Sequence, residues 1–498
     1  MPSFRTRMLP FLLFLVSVGV AQPKTLTILH TNDMHASFMP HEAFWVKETP
    51  KPIVGGFGEL FFTVDSIRKA RPAMLILDGG DVMTGNPITE REYRGALGGA
   101  LFDMMNAIGY DAWAPGNHDL DLSQSNLTAL GRIARFPMIS ANLVTAKGEY
   151  PVGNRPYVII ERGGIKIGVI GIISQGLYGL VNQNNLVGIR VLSPTETLQK
   201  YIDELDPQTD LLIALTHQGF EEDSALAAGL RGLDIIVGAH SHTRLKKPKV
   251  VNDVIIVQAG SNCENLGQLD VAVEGDRVVK HEGKLIQLWA RGGRPKVWIT
   301  TFADSLQQEI DREYSEVLAT LSADWVRENS GQSSIGTFIA DAQREAAYAD
   351  VGFMNNYGIR KDMAAGPITK KDLFEILPFR NIVATFQLSG LQLQGIVKYS
   401  LEKRPAIQIA GMTAVYKRNA DSTVALKSVR IMGKPVDDKR MYACAASDYF
   451  IGEAKRYLGV ELTKVSYSNQ TLFGVVEQAV RKAGRITPKV LYGIDETP

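Results

Sequence analysis

Five stretches of the sequence place carboxylate, amide or imidazole side chains directly after an apolar run. "LTILHTNDMHA" ends on Asp33 and His35, and "LILDGGDVMTG" reaches Asp81. "AWAPGNHDLD" delivers Asn117, His118 and Asp121, "LLIALTHQG" ends on His217, and "DIIVGAHSH" on His240 and His242. Any one of these endings is ordinary turn chemistry. Their recurrence is not, because five of the eight histidines (His35, His118, His217, His240 and His242) sit at them, and all eight lie at or before His281. Carboxylate, amide oxygen and imidazole without thiolate suit borderline divalent ions such as Mn²⁺, Zn²⁺, Fe²⁺ or Co²⁺. The ligands outnumber the needs of one ion. Two ions about 3.5–4 Å apart that share a bridging carboxylate form the hydrolytic arrangement such a set would serve. Asp81, midway in the series, is the natural bridge.

These side chains need elements that aim them at one place. The runs "AMLIL" (73–77), "IGVIGI" (167–172), "LLIAL" (211–215), "DIIVG" (234–238) and "VIIVQ" (254–258) are near-continuously apolar. That pattern marks strands buried on both faces, and the mixed segments between them predict helices, hence an α/β architecture. In an open α/β sheet the strand C-termini share an edge, and ligand crevices lie just beyond it. Asp33 and His35 therefore end a strand because the strand delivers them. Further on, "TFADSLQQEIDREYSEVLATLSADWV" (301–326) has no Gly or Pro and repeats apolar residues at three and four. It predicts one connecting helix. "SSIGTFIADAQREAAYAD" predicts another, opening a smaller α+β domain.

The motifs Asp-x-His, Gly-Asp, Gly-Asn-His-Asp, a lone His and Gly-x-His-x-His resemble those of the calcineurin-like metallophosphoesterases. In the forms "ILHTNDMHA", "GNHDLD" and "GAHSHT" they resemble the 5'-nucleotidase, UDP-sugar hydrolase and 2',3'-cyclic phosphodiesterase family. The resemblance implies an N-terminal α/β sandwich and a C-terminal substrate domain. It divides the chain into a metallophosphoesterase domain at 22–300, a helical linker at 301–328 and a substrate-binding domain at 329–498. It assigns Asp33, His35, Asp81 and His242 to one ion, and Asp81, Asn117, His217 and His240 to the other. His242 stands where the family often has Gln. His118 would donate to the phosphoryl group and Asp121 would orient it, a carboxylate partner favouring the charged imidazole.

In the second domain, "FMNNYGIRKDM" resembles a family signature usually written Asn-Gly-Gly-Gly-Ile-Arg. It implies Asn355, Gly358 and Arg360 as substrate contacts, Arg360 with a planar fork for phosphate or carboxylate oxygens. Phe379, in "ILPFRNIVATFQLSG", and Tyr449 would form an aromatic clamp for a nucleobase. Where the family continues Gly-Gly-Asp-Gly, this chain has "IGEAKRYLG", so no ribose contact carries over. Arg327 is the nearest counterpart of a further family arginine. The implied activity is hydrolysis of 5'-nucleotides or related nucleotide phosphoesters. The departures keep open a non-nucleotide phosphorylated or sulfur-containing substrate, and a catalytically silent binding protein. With metal ligands in one domain and the clamp in the other, the cleft must close to unite them.

Bulk composition agrees with an enzyme acting on small molecules. Of 498 residues, 45% are hydrophobic and 21% charged, as in soluble globular chains. Net charge is +1, which favours neither a nucleic-acid polymer nor an acidic membrane surface as partner. Arg5 and Arg7 precede "LPFLLFLVSVGVA", the form of a secretory signal cleaved after Ala21. The run is shorter than the roughly 20 residues of a spanning helix, and no later segment is long and apolar enough to span. A secreted or periplasmic protein is expected. Cys263 and Cys444 are too few and too far apart for a disulfide framework.

Overall fold

The computed structural model describes residues 23–497 except 44, 329–330, 404–406 and 420. The expected signal at 1–21 lies outside the described residues.

The first half of the chain builds two facing sheets. The five-stranded sheet runs in the order Val278–Gln287, Asn265–Val273, Lys24–Thr31, Met74–Asp78, Ala112–Trp113. The six-stranded sheet runs Lys249–Val251, Val254–Val257, Ile235–Val237, Leu211–His217, Ile165–Ile173, Tyr157–Arg162. The apolar runs read from sequence are these central strands, and their mutual pairings are parallel. Period-two alternation explains why they are apolar throughout. Leu26, Ile28, Leu75 and Leu77 meet Ile167, Val169, Leu211, Ile213 and Leu215 between the sheets. Leu29 and Ile76 point the other way, into helices Phe57–Ala70, Gly99–Ile108 and Trp298–Tyr314. Ile170, Ile172, Leu212 and Ala214 face helices Pro194–Leu205 and Phe220–Gly229. The result is a four-layer helix–sheet–sheet–helix sandwich.

The second half is α+β. Its main sheet runs Ile407–Ala410, Val351–Asn355, Met441–Ser447, Ile382–Ser389, Ser466–Thr471, with helices Ser334–Ala346 and Gly390–Lys403 packed on it. A three-stranded sheet of Gly366–Thr369, Val317–Leu321 and Arg485–Ile486 adjoins it.

That small sheet corrects one expectation. The segment 301–326 is not one helix: the helix spans Trp298–Tyr314, and Val317–Leu321 is a strand. Its buried Leu318, Ala319 and Leu321 join the core with Ile335, Ile368 and Ile486. Pairing with residues 366–369 and 485–486 overrides a local pattern that contains no helix breaker. Cys263 and Cys444 are free and buried. Among the described residues no helix is long and apolar enough to cross a membrane.

Candidate metal centre

The strand ends turn sharply. Asp33, His35, Asp81, His240 and His242 all have left-handed backbone, with φ of 50°, 47°, 56°, 77° and 54°. Non-glycine residues there cost on the order of 1–3 kcal/mol each and persist only where the surroundings enforce them. Here the enforcement is a zipper of strand-end loops. The Asp33 amide donates to the Gly80 carbonyl at 2.8 Å, that of His35 to Asp81 at 2.9 Å, and that of Ala36 to Val82 at 2.8 Å. The buried Asp119 carboxylate ties in the loop carrying Asn117, accepting from the amides of Asp81, Val82, Met83 and Gly116 at 2.7–3.1 Å.

Two clusters result, Asp33–His35–His242 and Asp81–His217–His240, each with ligand atoms within 4.8 Å of one another. His35 Nε2 lies 3.1 Å from His242 Nε2, and His242 Nε2 lies 3.5 Å from Asp33 Oδ1. Asp81 Oδ2 lies 3.2 Å from His217 Nε2 and 4.0 Å from His35 Nε2, so one oxygen faces both clusters.

The residues fit divalent ions by a test of satisfaction. Asp33 Oδ2 accepts from the Asn32 side chain and the His240 amide, at 2.7 and 2.9 Å, while buried Oδ1 has no hydrogen-bond partner. Asn117 Oδ1 and His217 Nε2 are likewise buried without a hydrogen-bond partner. A native interior leaves few such atoms orphaned. The imidazoles present the right nitrogens: His35 Nδ1 donates to the Thr84 carbonyl at 3.1 Å and His217 Nδ1 to that of Gly79 at 2.7 Å, turning each Nε2 to the site. Asp33, His35 and His242 thus come together in one cluster and Asp81, His217 and His240 in the other, while Asn117 precedes His118, whose backbone amide donates to Asp81 Oδ1.

Protonation follows from the same contacts. Burial opposes ionisation of Asp33 and Asp81, but neighbouring imidazoles outweigh it and hold Asp33 at about 2 and Asp81 well below the usual carboxylate range. Burial lowers His35 well below its ordinary value and His240 to about 4. At His217 the Asp81 charge defeats burial and raises the imidazole to about 10. A ligand nitrogen must shed its proton before it binds an ion. Below pH 10, loading the second cluster therefore releases about one proton per chain. Calorimetric heats of Mn²⁺ uptake at pH 8 are expected to vary with buffer ionisation enthalpy by that amount; buffer-independent heats would contradict it.

His118 stands beside the ligands without joining either cluster. Its Nδ1 lies 2.7 Å from Asp121 Oδ2, and Asp81 adds a second negative charge; against burial, the two carboxylates raise its pKa. Arg360 and Phe379 reach this point from the second domain. The Arg360 guanidinium donates to His35 Nε2 at 3.0 Å, and Phe379 stacks on His118 with ring centroids 5.1 Å apart. The two domains therefore meet over the candidate centre.

The other second-domain residues lie further out. Asn355 is buried at the end of its strand, its side chain against Gly358. Tyr449 is half-buried against the second-domain core and hydrogen-bonded to Tyr457. Arg327 is paired through its fork with Asp362 at 3.0 and 3.3 Å and with the Ile359 carbonyl at 3.2 Å. Sequence reasoning missed Asp119, whose only local signal is its place next to His118, and Thr84, discussed below.

Residues 26–244 match the family model described as calcineurin-like phosphoesterase, and residues 315–458 match that of the 5'-nucleotidase C-terminal domain. A 5'-nucleotidase of Vibrio cholerae is 30% identical over 426 residues, covering 74% of this chain and 74% of its own. A 5'-nucleotidase of Rattus norvegicus is 28% identical over 525 residues, covering 93% of this chain and 89% of its own. In fold, the crystal structure of a 5'-nucleotidase precursor from Thermus thermophilus matches with a TM-score of 0.80 at 24% identity, over 95% of this chain and 100% of its own. The chain belongs to the 5'-nucleotidase family of hydrolases, a calcineurin-like metallophosphoesterase domain joined to a 5'-nucleotidase C-terminal domain, with two candidate metal clusters in the first.

Proposed function

We propose that this chain is an exported phosphoesterase that hydrolyses 5'-nucleotides or related nucleotide phosphoesters at a pair of divalent ions. The observation that carries the reading is the pair of His/Asp clusters with buried, orphaned Asp33 Oδ1 and His217 Nε2, beside a His118–Asp121 pair that joins neither cluster. Asp33, His35, Asp81 and His242 would hold one ion, and Asp81, Asn117, His217 and His240 the other. Bound there, two divalent ions supply an acidified water and neutralise charge on the phosphoryl oxygens.

The chain's own groups do the rest. Asp121 Oδ2 accepts a hydrogen bond from Nδ1–H of the charged His118 imidazole, which leaves Nε2–H to donate to a phosphoryl oxygen. Arg360 brings a second cation to the same place, and Phe379 covers His118 and limits water. Phe379, with Tyr449, would bracket a base, and Asn355 and Gly358 shape the turn that carries Arg360. The names of the Vibrio and rat relatives support nucleotide esters as substrates. The basic and apolar start of the chain supports export.

Phosphate release from 5'-AMP by the mature protein, with added Mn²⁺ and with a chelator, tests the reading. Release that needs the ion is expected. Hydrolysis of bis-p-nitrophenyl phosphate without any release from 5'-AMP would move the substrate to a non-nucleotide ester. A metal-loaded protein inert to both would overturn the reading.

A further inference from the structure

The loop after Asp81 contains a residue that no motif singled out. Thr84 has φ of 64°. A β-branched residue is a genuine outlier in that region, and such strain is retained where the surroundings demand it. Two contacts explain the demand. The Thr84 carbonyl accepts from His35 Nδ1 at 3.1 Å, and its hydroxyl donates to Asp121 Oδ2 at 2.8 Å. That same carboxylate oxygen pairs with His118 Nδ1 at 2.7 Å. The next residue, Gly85, has φ of 145°, and a Cβ there would meet the His35 carbonyl oxygen at 2.2 Å. The strained Thr84–Gly85 pair is thus fitted closely under His35.

Resting on the function proposed above, we infer that Thr84 is a positioning residue, whose hydroxyl locks the rotamer of Asp121 and through it aims His118, while its carbonyl sets the tautomer of His35. A side chain that touches neither substrate nor ion would then control catalysis. Asp121 is only part-buried and sits in a short 3-10 turn region, so its carboxylate has room to rotate once the hydroxyl is gone. Asn185 holds the backbone of this turn, donating to the Leu120 and Asp121 carbonyls at 3.0 and 2.8 Å rather than to the carboxylate.

Thr84→Val removes the hydroxyl, keeps the β-branched shape and keeps the carbonyl. Losing one hydrogen bond to a charged group predicts kcat on bis-p-nitrophenyl phosphate about tenfold lower, with KM within about twofold and two ions still bound. Thr84→Ser, which keeps the hydroxyl, restores turnover. The metal-free protein gives an independent reading: the His118 Nδ1–H proton, visible by NMR in the wild type and in Thr84→Ser, exchanges away in Thr84→Val. Unchanged kcat, an unchanged proton signal, loss of either ion from Thr84→Val, or failure of Thr84→Ser to restore turnover would each overturn the inference. An inactive wild-type protein would instead overturn the function it rests on.

Discussion

His118→Ala is expected to lower turnover of a phosphoester by about 10²–10⁴-fold, the usual contribution of a positioned acid or charged donor, while both ions remain bound. The separation of effects follows from geometry. The imidazole of His118 belongs to neither cluster. What His118 gives to the centre's framework is its backbone amide, which donates to Asp81 Oδ1 at 2.8 Å and survives the substitution. Metal content by atomic spectroscopy, set beside turnover, checks this. Loss of an ion together with activity would make His118 part of the scaffold, and normal turnover at full occupancy would remove it from the chemistry. The charge on His118 gives the experiment a second axis. Asp121 and Asp81 raise its pKa despite burial. The protonated, donating form therefore persists to higher pH than for a free imidazole, and the activity it supports falls as pH rises through that raised value.

Much of this centre is legible in one dimension because its ligands are local punctuation on buried strands. Asp33 and His35 follow Lys24–Thr31, His217 closes Leu211–His217, and His240 and His242 follow Ile235–Val237. Parallel pairing brings such ends to one edge within each of the two facing sheets, whatever the lengths of the connections, so spacing along the chain matters little. What stayed illegible depends on contacts far apart in sequence. Val317–Leu321 becomes a strand through partners at 366–369 and 485–486. Arg360 finds His35 across 325 positions. Asp119 collects amides from residues 81–83, and a lone Asp after His118 carries no trace of that use. Thr84 reads as an ordinary loop threonine until its φ is known. The second domain was less legible still: Phe379 reaches His118, whereas Tyr449, matched on motif, lies against the domain's own core and Tyr457.

Gly116→Ala is expected to abolish two-ion binding and to lower turnover by more than about 10³-fold, though it adds a single methyl group. A Cβ at this position would lie 2.1 Å from Asp81 Oδ1, 2.5 Å from His217 Cε1 and 2.6 Å from the Asp81 amide nitrogen. None of these is the loose end of a flexible side chain. Asp81 is held by its left-handed backbone and by the hydrogen bond its amide donates to Asp119, and His217 by the bond its Nδ1 donates to the Gly79 carbonyl. The methyl group therefore displaces the shared carboxylate itself, and with it both clusters, because Asp81 Oδ2 faces His35 as well as His217. Overpacking of this kind typically costs about 1–3 kcal/mol, small enough for a chain of this size to remain folded. Far-UV circular dichroism is expected to match the wild type while metal content falls below two ions per chain. Gly395→Ala supplies the control: it lies within Gly390–Lys403 with open space around its Cβ, and alanine there is expected to leave metal and turnover unchanged. Two bound ions and wild-type turnover in Gly116→Ala would show that the Asp81 loop can yield, and that the bridge does not depend on this close approach.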